Sequence, residues 1–262
     1  MSVRSPTPSV AELRAATQPP SLFERNSGEH WAGKLYMRRV SPFVTRVLLR
    51  TGLSPNAVTW LMILVGVGAA GLLTLPGLAA AIGALLVIQL QLLLDCVDGE
   101  MARWLDRRSP VGVYLDRIGH YVTETALPIA LGIRADGGWD SIGSWTTVGL
   151  VAAVLQLLVK AETALVHVAR MESGLPLVED SRAVAAPRGG ALRAVRSLLG
   201  HLPFYRAFVA VEATLLALIA AAVDEVRGDL EGTQALVLAL AGVGAITTVG
   251  HLAAILASRR LR

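Results

Sequence analysis

Cysteine is nearly absent, because Cys96 is the only one among 262 residues. A single thiol excludes an internal disulfide framework and offers no CxxC metal site, so Cys96 is expected to pack as a small apolar residue. Charged residues are also scarce, at 17% of the chain, whereas soluble domains carry about a quarter. The first thirty residues lack an apolar segment, so no cleavable signal peptide is expected.

Apolar residues take the place of charge, at 53% of the chain and a mean hydropathy of +0.56. They fall into blocks of about twenty residues, the length that crosses a hydrocarbon core about 30 Å thick. The predicted fold class is therefore an all-α membrane protein with six transmembrane helices preceded by an interfacial amphipathic helix. The predicted spans run approximately over residues 55–74, 77–98, 110–133, 144–169, 204–223 and 233–257.

Three regions are predicted along the chain. Residues 1–30, polar and rich in Pro and Ser, form a mobile cytoplasmic tail. Residues 31–50 mix apolar with basic side chains, which is typical of an amphipathic helix in the membrane interface. A basic solvated linker is the alternative, and Pro42 is expected to break or bend the helix. Residues 51–262 form the six-helix transmembrane domain, which carries the candidate site and is therefore the predicted catalytic domain.

Basic residues predict the orientation in the membrane. If the N-terminus is cytoplasmic, every Lys and Arg falls on the cytoplasmic side except Arg134, Arg227 and the intramembrane Lys160. Cytoplasmic segments of membrane proteins carry such an excess of positive charge. We therefore expect a multi-pass protein of the cell membrane with both termini and the candidate site on the cytoplasmic side.

The connection between the second and third predicted spans carries Asp95, Asp98, Asp116 and His120. The first two are three residues apart and the last two are four apart, spacings that place side chains on one helix face. A bare charge at membrane depth costs at least about 2.5 kcal/mol, so such residues are paired, bind a metal or take part in a reaction. Carboxylates without a thiolate suit Mg²⁺, or less often Mn²⁺.

Arg103 beside a bound metal ion favours a diphosphate ligand, because the cation neutralises phosphate oxygens and the guanidinium binds them bidentately. No Walker-type glycine-rich loop is present in the sequence. Ser109 and Pro110 are predicted as the N-cap and first residue of the third span, with the Ser109 hydroxyl near the phosphates. Small residues at three positions allow close approach of a helix or ligand: Gly99, Ala102 and Gly112.

The pattern Asp95-x2-Asp98-Gly99-x2-Ala102-Arg103-x8-Gly112-x3-Asp116 resembles the signature of the CDP-alcohol phosphotransferase family. The opening of the first span, Ser54-Pro55-Asn56-x2-Thr59, and the six-span layout are also similar to that family, so the resemblance covers roughly residues 30–258.

The resemblance implies that Asp95, Asp98 and Asp116 bind two divalent ions, which hold the diphosphate of a CDP-linked donor such as CDP-diacylglycerol. An alcohol or alcohol-phosphate acceptor would attack the β-phosphoryl group, and CMP would leave. A homodimer in the lipid bilayer is implied as well. The donor-binding residues implied by the motif are Asn56, Thr59, Gly99, Ala102, Arg103, Ser109 and Gly112.

His120 stands where the family pattern has a fourth Asp, which in the family helps to bind the second ion and deprotonates the acceptor. An imidazole is an effective general base near neutral pH but a poorer ligand for Mg²⁺. His120 is therefore predicted as a catalytic base and a candidate metal ligand. Glu124, one helical turn later, is predicted to orient His120 or to supply a metal oxygen through water. A weakened enzyme and a non-catalytic relative are the alternatives.

Other basic residues have two interpretations. Lys160, His167 and Arg170 either bind an anionic acceptor or serve structural pairing and snorkelling. Arg193, Arg196 and Arg206 form a second basic group or simply follow the charge bias of the cytoplasmic side.

Three functions compete: a metal-dependent CDP-alcohol phosphotransferase, a small-solute transporter, and a non-catalytic family member that binds CDP-lipid or a protein partner. Transporters usually contain internal repeats and broken helices, which this sequence does not show. Nucleic-acid binding is not expected, because the cytoplasmic rim accounts for the net charge of +4. The sequence leaves the donor and acceptor open.

Overall fold

The computed structural model describes residues 7–19, 30–176, 204–258 and 260–261. Every regular element in these ranges is helical. The main helices are α1 (Val10–Thr17), α2 (Arg38–Leu48), α3 (Pro55–Leu73), α4 (Leu78–Trp104), α5 (Pro110–Ala135), α6 (Ser144–Glu172), α7 (Ala210–Arg227) and α8 (Glu231–Ala257). A π-helical turn at Gly33–Met37 leads into α2, and 3₁₀ turns lie at Trp139–Ser141 and Phe204–Phe208. Arg193 and Arg196, two members of the suggested second basic group, lie outside the described ranges.

Four of these helices, α3, α4, α6 and α8, are long and apolar enough to cross a membrane. The predicted all-α class is confirmed for the described residues, and these four helices are candidate membrane spans. Helices α5 and α7 match the third and fifth predicted spans but do not join this group, because each carries several charged residues. The predicted start of the fifth span also differs: α7 begins at Ala210, after Val209 in an extended conformation.

The chain divides into two compact units. The first comprises Met1–Ala69 and Ala84–Thr123, and the second comprises Ala70–Gly83 and Glu124–Arg262. All predicted site residues therefore lie in the first unit except Glu124, which lies in the second.

Helix α4 continues six residues beyond the predicted end of the second span, to Trp104. Its polar end stays helical because Glu100, which is completely buried, is hydrogen-bonded on both oxygens. Asp106 then adopts a left-handed conformation, with φ 52°, which ends the helix. One continuous helix thus carries the first half of the motif.

Helix α2 continues through Pro42, so of the two expected effects, a break or a bend, the break does not occur. A proline inside a helix has no N–H for the carbonyl four residues earlier, which here belongs to Arg38. The Arg38 carbonyl instead accepts a hydrogen bond from Gln18 Nε2 at 2.8 Å. A side chain from the N-terminal segment thus replaces the backbone donor that proline removes.

Helix α1 lies within the region assigned to a mobile tail and was not predicted. Ser9 and Glu12 form a capping box at its start. Leu13 and Thr17 are completely buried, and Leu13 belongs to a core cluster with Leu49, Trp104 and residues of α3 and α4. Burial of a leucine side chain contributes about 1.5–3 kcal/mol, which a solvated tail would not gain.

Glu100 is the main polar anchor of the first unit. Its Oε1 accepts hydrogen bonds from Gln18 Nε2 at 2.8 Å and from Ser41 Oγ at 2.5 Å. Its Oε2 accepts one from Thr45 Oγ1 at 2.7 Å. The Arg38 guanidinium lies 3.6 Å away. A buried carboxylate requires this complete set of partners, and the set ties α4 to α2 and to the residue after α1.

In the second unit, α5 and α6 approach each other closely at two glycines. A Cβ added to Gly149 would lie 2.5 Å from the Pro128 carbonyl oxygen, and one added to Gly132 would lie 2.6 Å from that of Trp145. Any side chain at either position would force the helices apart, so this contact depends on small residues, as is common between membrane helices.

Asp136 caps the start of α6 from the preceding loop. Its carboxylate accepts hydrogen bonds from the backbone N–H groups of Gly143, Trp145 and Thr146 and from the Thr146 hydroxyl. Burial alone would raise the pKa of Asp136, but these hydrogen bonds outweigh it and hold the pKa below its ordinary value. The exposed N–H groups of the helix are thereby satisfied.

Arg134 is one of the few basic residues outside the predicted cytoplasmic side, and it is completely buried. Its guanidinium donates hydrogen bonds to the carbonyl oxygens of Leu75, at 2.6 Å, and Gly77, at 3.0 Å. Arg134 thus stabilises the α3–α4 connection. This structural role accounts for a basic residue on the side of the membrane where few are expected.

Candidate functional site

A cavity of about 620 Å³ lies within the first unit. It contains all eleven predicted site residues of that unit, contributed by α3, α4, the N-cap of α5, and α5 itself. The lining residues are Pro19, Arg38, Pro55, Asn56, Thr59, Asp95, Asp98, Gly99, Ala102, Arg103, Arg107, Arg108, Ser109, Gly112, Val113, Asp116 and His120.

Asp95, Asp116 and His120 form the acidic centre of this cavity. One ligand atom from each lies within 4.8 Å of the other two. His120 Nε2 is 3.1 Å from Asp95 Oδ1 and 3.5 Å from Asp116 Oδ1. The spacing of four residues therefore does place Asp116 and His120 on one face of α5, opposite a carboxylate from α4.

Asp98 lines the same cavity with a different set of contacts. Its Oδ2 accepts a hydrogen bond from Thr59 Oγ1 at 2.6 Å, and Thr59 is itself buried on α3. The predicted donor-binding residue Thr59 thus orients a predicted metal ligand, so that one of the carboxylate's oxygens is fixed by the protein.

The predicted helix starts are confirmed at both ends of the motif. Helix α3 begins at Pro55 with Ala57 N donating to Ser54 Oγ, and α5 begins at Pro110 with Gly112 N donating to Ser109 Oγ. These caps direct the first turns of both helices into the cavity, where N-terminal N–H groups favour anions.

Gly112 allows this approach of α3 to α5. A Cβ at Gly112 would lie 3.2 Å from Asn56 Oδ1 and 3.5 Å from Ser109 Oγ. Two turns along α5, a Cβ at Gly119 would lie 2.5 Å from Met62 Cε. Gly112 and Gly119 thus leave no room for a side chain between α3 and α5, which agrees with the expected close approach at Gly112.

Gly99 has a comparable relation to Arg103. A Cβ at Gly99 would lie 3.0 Å from Arg103 Nη1 and 3.3 Å from Nη2. The Arg103 guanidinium therefore lies over the bare backbone of Gly99, and its Nε donates to the Thr17 carbonyl oxygen at 2.7 Å. The motif glycine provides the space that the motif arginine occupies.

Six lining residues were not among the predicted site residues: Pro19, Arg38, Pro55, Arg107, Arg108 and Val113. Arg38 was assigned to a helix facing lipid headgroups. Arg107 and Arg108 follow the left-handed Asp106, so the short turn between α4 and α5 brings them to the cavity. Arg107 and Arg108 stand directly before the predicted N-cap Ser109, so the sequence could have indicated that they line the site. Nothing in the sequence indicates the same for Pro19.

Glu124 belongs to the second unit, where its Oε2 lies 2.9 Å from Lys160 Nζ and accepts a hydrogen bond from Gln156 Nε2 at 3.1 Å. These contacts supply the structural pairing considered for Lys160. The role of Glu124 towards His120 stays a prediction. Arg170 donates to the carbonyl oxygens of Pro176 and Arg260.

The donor set of the cavity fits a divalent cation, because it combines carboxylate oxygens with one imidazole nitrogen and contains no thiolate. Four arginines line the same space. Carboxylates that hold a cation, next to guanidinium groups that bind phosphate oxygens, form a suitable environment for a diphosphate.

The described part of the chain is helical with four candidate membrane spans, and its cavity is suited to a phosphorylated ligand. Residues 52–223 match the family described as CDP-alcohol phosphatidyltransferase. The match covers more than half of the chain, so the chain belongs to the CDP-alcohol phosphatidyltransferase family, as the motif predicted.

The chain is also similar to a curated relative, archaetidylinositol phosphate synthase from Aeropyrum pernix. The two are 40% identical over 81 residues, which are 31% of this chain and 40% of that protein. The matched segment thus spans less than half of the relative's length.

Proposed function

We propose that the chain transfers a phosphoryl-alcohol group from a CDP-linked donor to an alcohol or alcohol-phosphate acceptor, with release of CMP. The observation that carries the proposal is the common cavity: residues chosen from the motif alone, and lying up to 64 positions apart between Asn56 and His120, line one space. Family membership supports the same reaction type.

In this proposal, Asp95, Asp98 and Asp116 hold Mg²⁺ or Mn²⁺, and the motif implies two ions. Bound cations would neutralise the charge of the donor's diphosphate during transfer. Arg103, with its guanidinium already fixed, binds phosphate oxygens. Asn56, Ser109 and the backbone at Gly112 contact the rest of the CDP group.

His120 receives the proton of the acceptor hydroxyl. If its Nε2–H donates to Asp95 Oδ1, at 3.1 Å, Nδ1 retains a lone pair that accepts a proton. The base and ligand roles exclude each other in a neutral imidazole, because a metal on Nε2 leaves the proton on Nδ1. The carboxylate contact supports the base role, and Asp95 would then orient the ring.

The proposed donor is CDP-diacylglycerol or another CDP-linked alcohol. The name of the Aeropyrum pernix relative contains an inositol phosphate, which makes alcohol phosphates the first acceptors to test. We further propose six spans, a homodimer in the lipid bilayer, and cytoplasmic termini and site, which the family resemblance and the distribution of basic residues support.

Binding of CDP is expected to require a divalent cation. At a CDP concentration one hundred times its dissociation constant, the free energy of unfolding should rise by about 2.7 kcal/mol. The measurement is thermal unfolding of the purified protein with CDP and Mg²⁺, with EDTA and with CDP alone as controls. A transporter of unrelated solutes would show no CDP-dependent shift.

The position of His120 also favours a second candidate, a family member that binds CDP-lipid without turnover. Its imidazole lies within 3.5 Å of two of the three carboxylates, so it occupies oxygens that a second cation would need. Both candidates predict CDP binding, but only the enzyme releases CMP.

A further inference from the structure

The described N-terminal segment, residues 7–19, contacts the candidate site. Helix α1 terminates at Thr17, Gln18 follows, and Pro19 lines the cavity. The family match begins at residue 52, so these residues lie outside the matched region.

The first of these contacts fixes Arg103. Its Nε donates to the Thr17 carbonyl oxygen at 2.7 Å. This carbonyl belongs to the last residue of α1, where no helical N–H is available to it, and a cation at a helix C-terminus is favourable. On its other side, the guanidinium lies within 3.3 Å of the position that a Cβ of Gly99 would take. Arg103 is thus held between α1 and its own helix.

The second contact fixes the segment itself. Gln18 Nε2 donates both of its hydrogens, one to the Arg38 carbonyl and one to Glu100 Oε1, each at 2.8 Å. Glu100 follows Gly99 directly in α4. Two residues in one turn of α4 therefore bind the segment: Glu100 accepts a hydrogen bond from Gln18, and Arg103 donates one to the Thr17 carbonyl.

Leu13 anchors the helix from the apolar side. It is completely buried in the core cluster of the first unit, whereas Ala15 of the same helix is exposed. Leu13 is the one buried apolar side chain of α1, so it contributes to docking of the helix and thereby to the position of the Thr17 carbonyl.

We propose that α1 with Gln18 and Pro19 is a positioning element of the donor site: it holds the Arg103 guanidinium in place for the diphosphate of the CDP-linked donor. The inference rests on the proposed function, since it assigns the donor diphosphate to Arg103. Thr17, Gln18 and Leu13 act through Arg103 and are positioning residues.

The test compares CDP affinity in the full-length protein with Mg²⁺ present, by calorimetric titration. Leu13→Glu places a charge in the core and undocks α1, and is expected to weaken CDP binding about tenfold, the effect of losing one hydrogen bond to a charged group. Ala15→Glu introduces the same charge at an exposed position and should leave affinity within about twofold. Leu13→Met should retain the affinity of the wild type.

Gln18→Ala provides a second variant that buries no charge. It removes both hydrogen bonds of the Gln18 side chain, while Ser41 and Thr45 still donate to Glu100. An expected weakening of about threefold to tenfold follows from the loss of these bonds. Affinity equal to that of the wild type in both Gln18→Ala and a folded Leu13→Glu overturns the proposal.

A double-mutant cycle separates positioning from general damage. In an Arg103→Ala background, Leu13→Glu should have no further effect on CDP affinity, because the group it positions is gone. An undiminished additional loss contradicts the proposal. If the wild type itself binds no CDP with Mg²⁺, the proposed function fails, and that result differs from a wild type that binds CDP and variants that bind it equally well.

Discussion

Asp95→Asn is expected to reduce CMP release about a thousandfold, a loss typical of removing one electrostatic contact of a transition state. The amide has the same shape as the carboxylate but no charge, so it is a poor ligand for Mg²⁺. It also accepts a hydrogen bond from His120 less strongly. CMP is quantified by mass spectrometry after incubation with donor and acceptor.

The fold should survive this substitution, because Asp95 is not part of the buried Glu100 network of the first unit. Circular dichroism and thermal unfolding of the variant check this. Asp140→Asn is the matched control, since it makes the same chemical change at an exposed residue of the second unit. Turnover that persists in Asp95→Asn at the level of Asp140→Asn contradicts the assigned site.

His120→Ala is expected to lower turnover by about 10²–10⁴, the range for loss of a general acid or base. The effect should fall on kcat rather than on CDP affinity, because the imidazole acts on the acceptor. His120→Asp restores the residue type of the family motif and should recover part of the activity. The measurement is steady-state CMP release at several acceptor concentrations.

Unchanged kcat in His120→Ala excludes the general-base role.

Glu124→Ala tests the predicted role of Glu124 in orienting His120. If Glu124 orients His120, kcat should fall without a change in CDP affinity. If Glu124 only pairs with Lys160 and Gln156, thermal stability should fall while kcat in the folded protein stays constant.

The motif was predictable from sequence because its members lie on two long helices joined by a short turn. Spacings of three and four residues fix which side chains share a face, and Ser109 with Pro110 fixes where α5 starts. Once α4 and α5 are placed, Asp95, Asp116 and His120 have little freedom to lie elsewhere.

The N-terminal contribution was not predictable, since it depends on tertiary contacts. A helix of eight residues is too short to be stable alone or to show clear periodicity. The polar residue Gln18 gives no sign that it satisfies the carbonyl released by Pro42. Glu100 lies beside the motif residues Asp98 and Gly99, but its position in the sequence does not reveal that it accepts hydrogen bonds from Ser41 and Thr45.

Arg38 and Glu124 both have contacts that the sequence did not predict. Arg38 lies in a predicted amphipathic helix whose other arginines suit lipid headgroups, but it lines the cavity and its guanidinium lies 3.6 Å from Glu100. Glu124 shares a stripe of α5 with His120 in sequence, but partners on α6 determine its hydrogen bonds.

The most direct test of the central claim is a mass balance of the reaction. Protein purified in lipid with Mg²⁺ is incubated with CDP-diacylglycerol and other CDP-alcohols, each against a panel of alcohols and alcohol phosphates. We expect at least one pair to give CMP and a new phosphodiester in equal amounts, with loss of both in Asp95→Asn and with EDTA. Absence of CMP from every pair, in a protein that binds CDP, would contradict catalysis and leave the binding function in its place.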